Sequence, residues 1–149
     1  QAISGVRCKI VIVGKLSSDL REKLISKKVD FTSIEHRLTD SEIYELYLDS
    51  DIVSMVSTLE GFGMPIIEAQ KIGRIVLGSN VSSIPEIAGK GAYFVNPYDV
   101  DSIRNGILEI INNSTLREQI ISEGFNNAKA FNLSTIAKNY SELYKNISK

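Results

Sequence analysis

The stretch from Ser57 to Glu68, STLEGFGMPIIE, decides the reading of this chain. It follows a strand-length apolar segment, Asp51 to Val56, and leads into Pro65-Ile66-Ile67, where a helix is expected to begin at Pro65. Proline suits a first helical position because its missing N–H has no intrahelical partner there. Two glycines bracket Phe62 in this strand-to-helix turn. Glycine admits left-handed backbone angles and lets a ligand come close to the main chain. The N–H groups of Gly63 and Met64 would then point outward with the positive end of the helix dipole, an arrangement that favours an anion such as a diphosphate.

Glu60 and Glu68 flank the turn. On one unbroken helix their eight-residue spacing would set them about 80° apart, two turns from each other. Pro65 excludes a continuous helix, so Glu60 is expected on the loop and Glu68 in the first helical turn. A carboxylate beside a diphosphate is repelled unless it binds something else, and accepting from the two hydroxyls of a ribose is a role acidic residues play in other nucleotide sites. Glu60, on the loop side, would reach hydroxyls of a sugar beyond the phosphates. Acidic residues near a helix start are also favourable for dipole reasons alone, and Gly-x-Gly alone is a weak signal. Their conjunction at the carboxyl end of a strand is what points to a ligand. Phe62 either stacks on a sugar or plugs the loop into the core.

Working outward, Lys9 to Val13 (KIVIV) is a β-branched run without polar alternation, expected of a strand covered on both faces. Ser17 or Ser18 caps a helix running to about Lys28, with Leu20, Leu24 and Ile25 on one face. Val29 to Ile34 is a weaker strand. Thr39 to Glu42 (TDSE) is a capping-box pattern opening a short helix with Ile43, Leu46 and Tyr47 inward. Downstream, Arg74 to Leu77 reads as a buried strand and Asn80 to Ser83 as a polar loop. A short helix near Pro85 to Ala88 follows, opened by Ser83 as cap and Glu86 as dipole partner. Tyr93 to Val95 is the last strand, stopped by Asn96-Pro97. The rest is helical: about Asp99 to Ile111, Thr115 to Ala130 and Ser134 to Ile147. Thr115 to Glu118 again resembles a capping box, and Tyr140 and Tyr144 stand at the spacing of packing residues.

Strands alternating with helices predict an α/β fold, a parallel sheet with helices on both faces and a helical C-terminal flank, all in one domain over 1–149. Ligands of such sheets lie outside the carboxyl ends of the strands. The loops after Val13, Ile34, Val56 and Ser79 are therefore the places to seek chemistry.

Bulk properties narrow the function. With 17 basic against 18 acidic residues and no basic stripe, nothing points to nucleic acid. Cys8 is the only cysteine, which excludes an internal disulfide and suits a reducing, cytoplasmic compartment. One His and one Cys give no zinc constellation, and no tightly bound metal or other cofactor is expected. His36 would border a nucleotide or simply face solvent. The chain opens on Gln1 with a core strand close behind, so we expect it to be truncated at its N-terminal side.

Glu60 to Glu68 (EGFGMPIIE) resembles the E-x7-E motif of retaining glycosyltransferases of the "glycosyl transferases group 1" type. These have the GT-B architecture of two Rossmann-like domains. The resemblance continues through Lys71 to Val76 (KIGRIV), Ser79 to Gly89 (SNVSSIPEIAG) and Asn96 to Asp99 (NPYD), and upstream through Val11 to Lys15 (VIVGK) and Leu38 to Ile43 (LTDSEI). It implies a C-terminal, donor-binding half. Glu68 would hold the ribose hydroxyls of a nucleotide diphosphate sugar, and the backbone of Gly61, Phe62, Gly63 and Met64 would face the diphosphate and sugar. Glu60 would contact the donor sugar as the catalytic carboxylate. Arg37 and Leu38 would border the base, and Gly14 and Lys15 would line the donor cleft. The resemblance further implies metal-independent transfer to a glycan or lipid-linked acceptor, polysaccharide assembly, and a full-length protein touching the inner face of the membrane.

Two things the family has are not found. The strand ending in Gly-Arg, with a lysine shortly after, whose cations neutralise the departing diphosphate, is absent, and so is the acceptor domain. The chain alone is therefore expected to bind donor weakly and not to catalyse transfer. A nucleotide-sugar epimerase, a glycan phosphorylase or a non-catalytic nucleotide-binding module would use the same fold. A phosphorylase wants a cofactor lysine in a distinctive context, and a receiver module wants an acidic cluster after its first strand; neither is present.

Overall fold

The alternation of β-branched runs with capped amphipathic segments produces, in the computed structural model, five strands and seven α-helices over the described residues, 1–147. In chain order they are β1 (Lys9–Val13), α1 (Ser18–Ser26), β2 (Asp30–Ile34), α2 (Asp40–Asp49), β3 (Ile52–Met55), α3 (Met64–Ile72), β4 (Ile75–Ser79), α4 (Ile84–Ala88), β5 (Ala92–Val95), α5 (Val100–Asn112), α6 (Ser114–Ala128) and α7 (Leu133–Ile147). Hydrogen bonding groups the strands into two parallel sheets, β1-β2 and β3-β4-β5. The chain divides accordingly into two units, residues 1–45 and residues from 46 onward.

In the first unit β1 runs parallel to β2, with Lys9 beside Asp30 and Val13 beside Ile34. Ser17 is the cap of α1, its hydroxyl accepting from the Leu20 amide at 3.3 Å. The capping box of α2 is complete: the Thr39 N–H donates to Glu42 Oε2 at 2.7 Å, and the Glu42 N–H donates to Thr39 Oγ1 at 3.3 Å. These bonds, the backbone one foremost, hold the Glu42 carboxyl below its usual range. His36 is exposed, with Nε2 at 3.8 Å from Glu42 Oε1. The expectation that β1 is covered on both faces is corrected here. Val11 is 43% and Val13 62% exposed, and α1 has no buried residue, with Leu20 and Ile25 exposed. An apolar run makes a strand wherever it finds a partner edge; its burial depends on whether another layer lies on each face.

In the second unit, β4 is the middle strand and is buried throughout. Side chains alternate across it. Val76 joins Ile66, Ile67, Ile84 and Ala88 in one layer, whereas Ile75 and Leu77 join Val95, Ile110 and Ile120 in the other. Each such buried valine, leucine or isoleucine side chain contributes about 1.5–3 kcal/mol of transfer free energy. The buried polar group Gln70, 1% exposed, is satisfied at both ends of its amide. Its Nε2 donates to the Ala88 and Gly91 carbonyls at 2.9 and 3.1 Å, and its Oε1 accepts from Asn127 Nδ2 at 2.8 Å. The network ties α3, α4 and α6 into one block. Gly91 lets that block close, because a Cβ there would fall 2.4 Å from Gly124 Cα.

Two helical expectations are also corrected. Asn113, not Thr115, caps α6, its side chain accepting from the Leu116 amide at 3.0 Å, so the helix begins one residue earlier at Ser114. Tyr140 and Tyr144 are 56% and 64% exposed on α7 and lie beside each other rather than in a core.

Candidate functional site

The turn between β3 and α3 is built by Gly63. It sits at the N-cap of α3 with φ +97°, a left-handed angle that side chains resist. A Cβ at Gly63 would also meet Ile66 Cδ1 at 3.0 Å. Gly61, by contrast, has no left-handed angle and open space around it, so only one of the two glycines is there for backbone conformation. Because the turn ends at Gly63, helix α3 starts at Met64 and not at Pro65, which takes the second position. Proline still costs nothing there, as the first four amides of a helix have no intrahelical partner. The Ile66 N–H turns back to the Gly63 carbonyl at 3.0 Å. Among the described residues, no acceptor is found for the N–H groups of Gly63 and Met64 at this helix start.

Glu68 lies in the second turn of α3, not the first, four residues after Met64 and so on the same face. Helical side chains lean toward the N-terminus, which carries the carboxylate back toward the glycine turn. Its Oε2 accepts from the Tyr47 hydroxyl at 2.8 Å. Burial, together with that hydrogen bond and the charge of Glu68, raises the Tyr47 phenol far above its usual range. Tyr47 therefore remains a donor at any physiological pH. Glu60 is half-buried on the loop, and its Cγ lies 3.6 Å from the point a Gly63 Cβ would occupy. Its side chain thus runs alongside the start of α3.

The loop is held from outside itself. Ser82 Oγ accepts from the Glu60 N–H at 3.1 Å and donates to the Glu60 carbonyl at 2.9 Å. Ser83 Oγ donates to the same carbonyl at 3.0 Å, and Ser79 Oγ donates to the Ser57 carbonyl at 2.7 Å. Ser82 adopts a left-handed φ of +62° to do this. Such backbone costs on the order of 1–3 kcal/mol in a non-glycine residue and persists where surrounding bonds hold it. Ser83 was expected to cap α4; its hydroxyl makes no capping bond and goes to the loop instead. Phe62 is 44% exposed and meets Phe131 edge-on, with ring centroids 6.1 Å apart, so it rests on a neighbour while keeping one side in solvent.

The remaining expected residues lie in the first unit. Gly14 and Lys15 follow the carboxyl end of β1, and Arg37 and Leu38 follow that of β2, so all four stand at one end of that sheet. Gly14 has φ +132°, and its carbonyl accepts from the Ser33 hydroxyl at 2.9 Å. A cleft of roughly 600 Å³ lined by Arg7, Lys9, Lys28 and Asp30 lies at the opposite, amino end of these strands. Among the described residues no group of three or more His, Cys, Asp or Glu is arranged to hold a metal ion, and no helix is long and apolar enough to cross a membrane.

The contacts to this turn and to Glu68 that the sequence does not reveal are those of Tyr47, Ser79, Ser82 and Ser83. The helical spacing turns the Tyr47 ring inward, and it packs there, but its hydroxyl has a separate partner. The serines left one usable signal, a polar cluster at the carboxyl end of a neighbouring strand.

Parallel strands that deliver a glycine turn, a helix N-terminus and flanking carboxylates at their carboxyl ends define an α/β protein of the GT-B, Rossmann-like class. The chain belongs to the family described as "Glycosyl transferases group 1", which matches residues 2–127. It is 37% identical over 92 residues to O-antigen chain mannosyltransferase B of Escherichia coli, covering 62% of this chain and 24% of that protein. It is 30% identical over 152 residues to an uncharacterised glycosyltransferase of Methanocaldococcus jannaschii, covering 92% and 37%. The chain thus spans well under half the length of these relatives. Among solved structures, a glycosyltransferase of Rickettsia africae superposes with a TM-score of 0.82 at 23% identity, over 99% of this chain and 43% of that one. Anabaena HepE, in complex with UDP and glucose, superposes with a TM-score of 0.84 at 19% identity, over 97% and 43%.

Proposed function

We propose that this chain is the donor-binding part of a retaining glycosyltransferase that moves a hexose, mannose by kinship, from a nucleotide diphosphate sugar to a glycan or lipid-linked acceptor. The observation that carries the proposal is the start of α3: two unpaired amides at a helix N-terminus, a left-handed glycine, and a carboxylate on either side. In this reading the Gly63 and Met64 N–H groups hold the diphosphate and the helix dipole offsets its charge. Glu68 accepts from the ribose hydroxyls. Glu60 takes hydroxyls of the transferred sugar and serves the reacting carbon. Phe62 lies along the sugar. The mannosyltransferase relatives support the choice of sugar, and the UDP- and glucose-bound neighbour supports a nucleotide-sugar donor.

Donor binding through backbone amides calls for no resident metal, so EDTA should leave affinity unchanged. Transfer also needs an acceptor held in place and further cations at the leaving diphosphate. We assign the cations to a further strand of the donor domain and the acceptor site to a second domain, both in a longer cytoplasmic protein working at the membrane surface, and expect this chain alone to bind without turnover.

Ligand-observed NMR with UDP-, GDP- and ADP-sugars tests the reading. Glu68→Ala should weaken binding of nucleotide and nucleotide sugar alike, whereas Glu60→Ala should chiefly blunt discrimination among sugars. Absence of binding by every member of the panel, or equal and negligible effects of the two substitutions, would refute the donor site.

A further inference from the structure

The hydrogen bond between Tyr47 and Glu68 gives α2 a part in the site. The Tyr47 ring is packed against the layer formed by Ile66, Ile67 and Val76, so the position of its hydroxyl is set by the core rather than by solvent. That hydroxyl reaches Glu68 Oε2 at 2.8 Å, and no donor among the described residues reaches Oε1. An ionised carboxylate offers about four lone-pair sites on two oxygens. One is spent on Tyr47, and the side chain is thereby locked in one orientation with the other oxygen open. A partly exposed glutamate without such a partner would sample several rotamers, which must be frozen when it binds a ligand.

We propose that Tyr47 is the positioning residue of the ribose site: it holds Glu68 so that its free oxygen meets the paired hydroxyls of the nucleotide sugar. This rests on the reading of Glu68 given above. Tyr47 itself touches no reacting atom. Its effect is on the strength and selectivity of nucleotide binding, not on the chemistry of transfer. A tyrosine serves better here than a serine or lysine. Its ring fixes the direction of the bond, and it donates without placing a positive charge against the carboxylate that would compete with the ligand's hydroxyls.

The test is a titration of the chain, followed by ligand-observed NMR, with UDP and GDP and with their 2′-deoxy counterparts. Tyr47→Phe keeps the ring and removes only the hydroxyl; Glu68→Ala removes the acceptor. We expect wild type to prefer the ribonucleotides. Tyr47→Phe should weaken ribonucleotide binding by roughly three- to tenfold, the loss of one well-placed hydrogen bond, and should shrink the preference over the deoxy forms. In the double variant, Tyr47→Phe should add nothing to Glu68→Ala, because its action passes through that carboxylate. If Glu68→Ala abolishes the ribose preference while Tyr47→Phe leaves both affinity and preference intact, the positioning role is overturned and the site reading stands. If Glu68→Ala leaves the preference untouched, the reading of Glu68 itself fails. Should Tyr47→Phe weaken ribo and deoxy forms equally, with or without Glu68, the hydroxyl is structural and the proposal fails.

Discussion

Strands β1 (KIVIV) and β4 (IVLGS) are both five-residue segments rich in aliphatic side chains, yet they inhabit different surroundings. Every residue of β4 is buried, whereas β1 alternates between exposed and half-buried positions. The turns beyond them differ in parallel. The loop near the end of β4 is bound to the glycine turn by three serine hydroxyls, while the turn at Gly14 has one, from Ser33. A strand's composition tells that it will pair; the layers stacked on it decide what its side chains are worth. The candidate donor turn stands on the heavily supported sheet. That suits a site whose amides must be held in place before the ligand arrives.

The sharpest way to break this comparison is a matched pair of core truncations. Leu77→Ala on β4 should cost about 2–5 kcal/mol, as a buried leucine leaves a cavity. Val11→Ala on β1 should stay within about 1 kcal/mol, as for a residue with much of its surface in water. Urea unfolding of the two variants measures both, and similar losses would show that β1 is no less supported than β4.

Next in size are the glycine turns. Gly63→Ala meets both a left-handed angle and Ile66 Cδ1, and should cost about 2–3 kcal/mol. Gly14→Ala has the angle but open space, and should cost about 1 kcal/mol. Gly61→Ala, with neither, should be close to neutral. Thermal unfolding orders the three, and a Gly61 effect as large as that of Gly63 would undo the assignment of the turn.

A smaller effect should follow from the serine clamps. Ser82→Ala removes two bonds to the Glu60 backbone and should cost about 1–2 kcal/mol locally, with faster amide exchange over residues 58–63. Ser33→Ala removes one bond from the Gly14 turn, and its effect should be about half as large. Exchange rates that respond equally to the two changes would mean that the extra serines add no rigidity.

The smallest expected signal is electrostatic. The Tyr47 phenol is raised in the folded state by burial and by Glu68, so its contribution to stability is fully present below the ordinary tyrosine value of 10.0. That contribution is lost only as pH climbs through the higher folded value. In an ultraviolet titration one of the six tyrosines should therefore ionise late, and Tyr47→Phe should remove that late component.

Much of the candidate site is legible in the linear chain because its pieces are local. Gly63, Met64, Glu60 and Glu68 lie within nine residues, and the proline between the carboxylates forces one onto a loop and the other onto a helix. The details that went astray are those set by a single backbone angle. The left-handed turn closes at Gly63 and lets Met64 begin the helix, which moves Glu68 from the first turn to the second. Tyr47 and the three serines were out of reach for a different reason. Their partners lie 21 to 23 residues away, and a hydroxyl carries no mark of which distant carbonyl or carboxylate it will meet.

What the chain's order of residues determines unaided is therefore the alternation of strands and helices, the parallel pairing that follows from it, and a glycine turn flanked by carboxylates. All of these depend on periodicity and on neighbours in sequence. Only the tertiary structure decides that β4 is enclosed and β1 is not, that Ser82 and Ser83 hold the loop, and that Tyr47 orients Glu68. Burial and hydrogen-bond partnership belong to surfaces brought together by folding, and no local pattern records them.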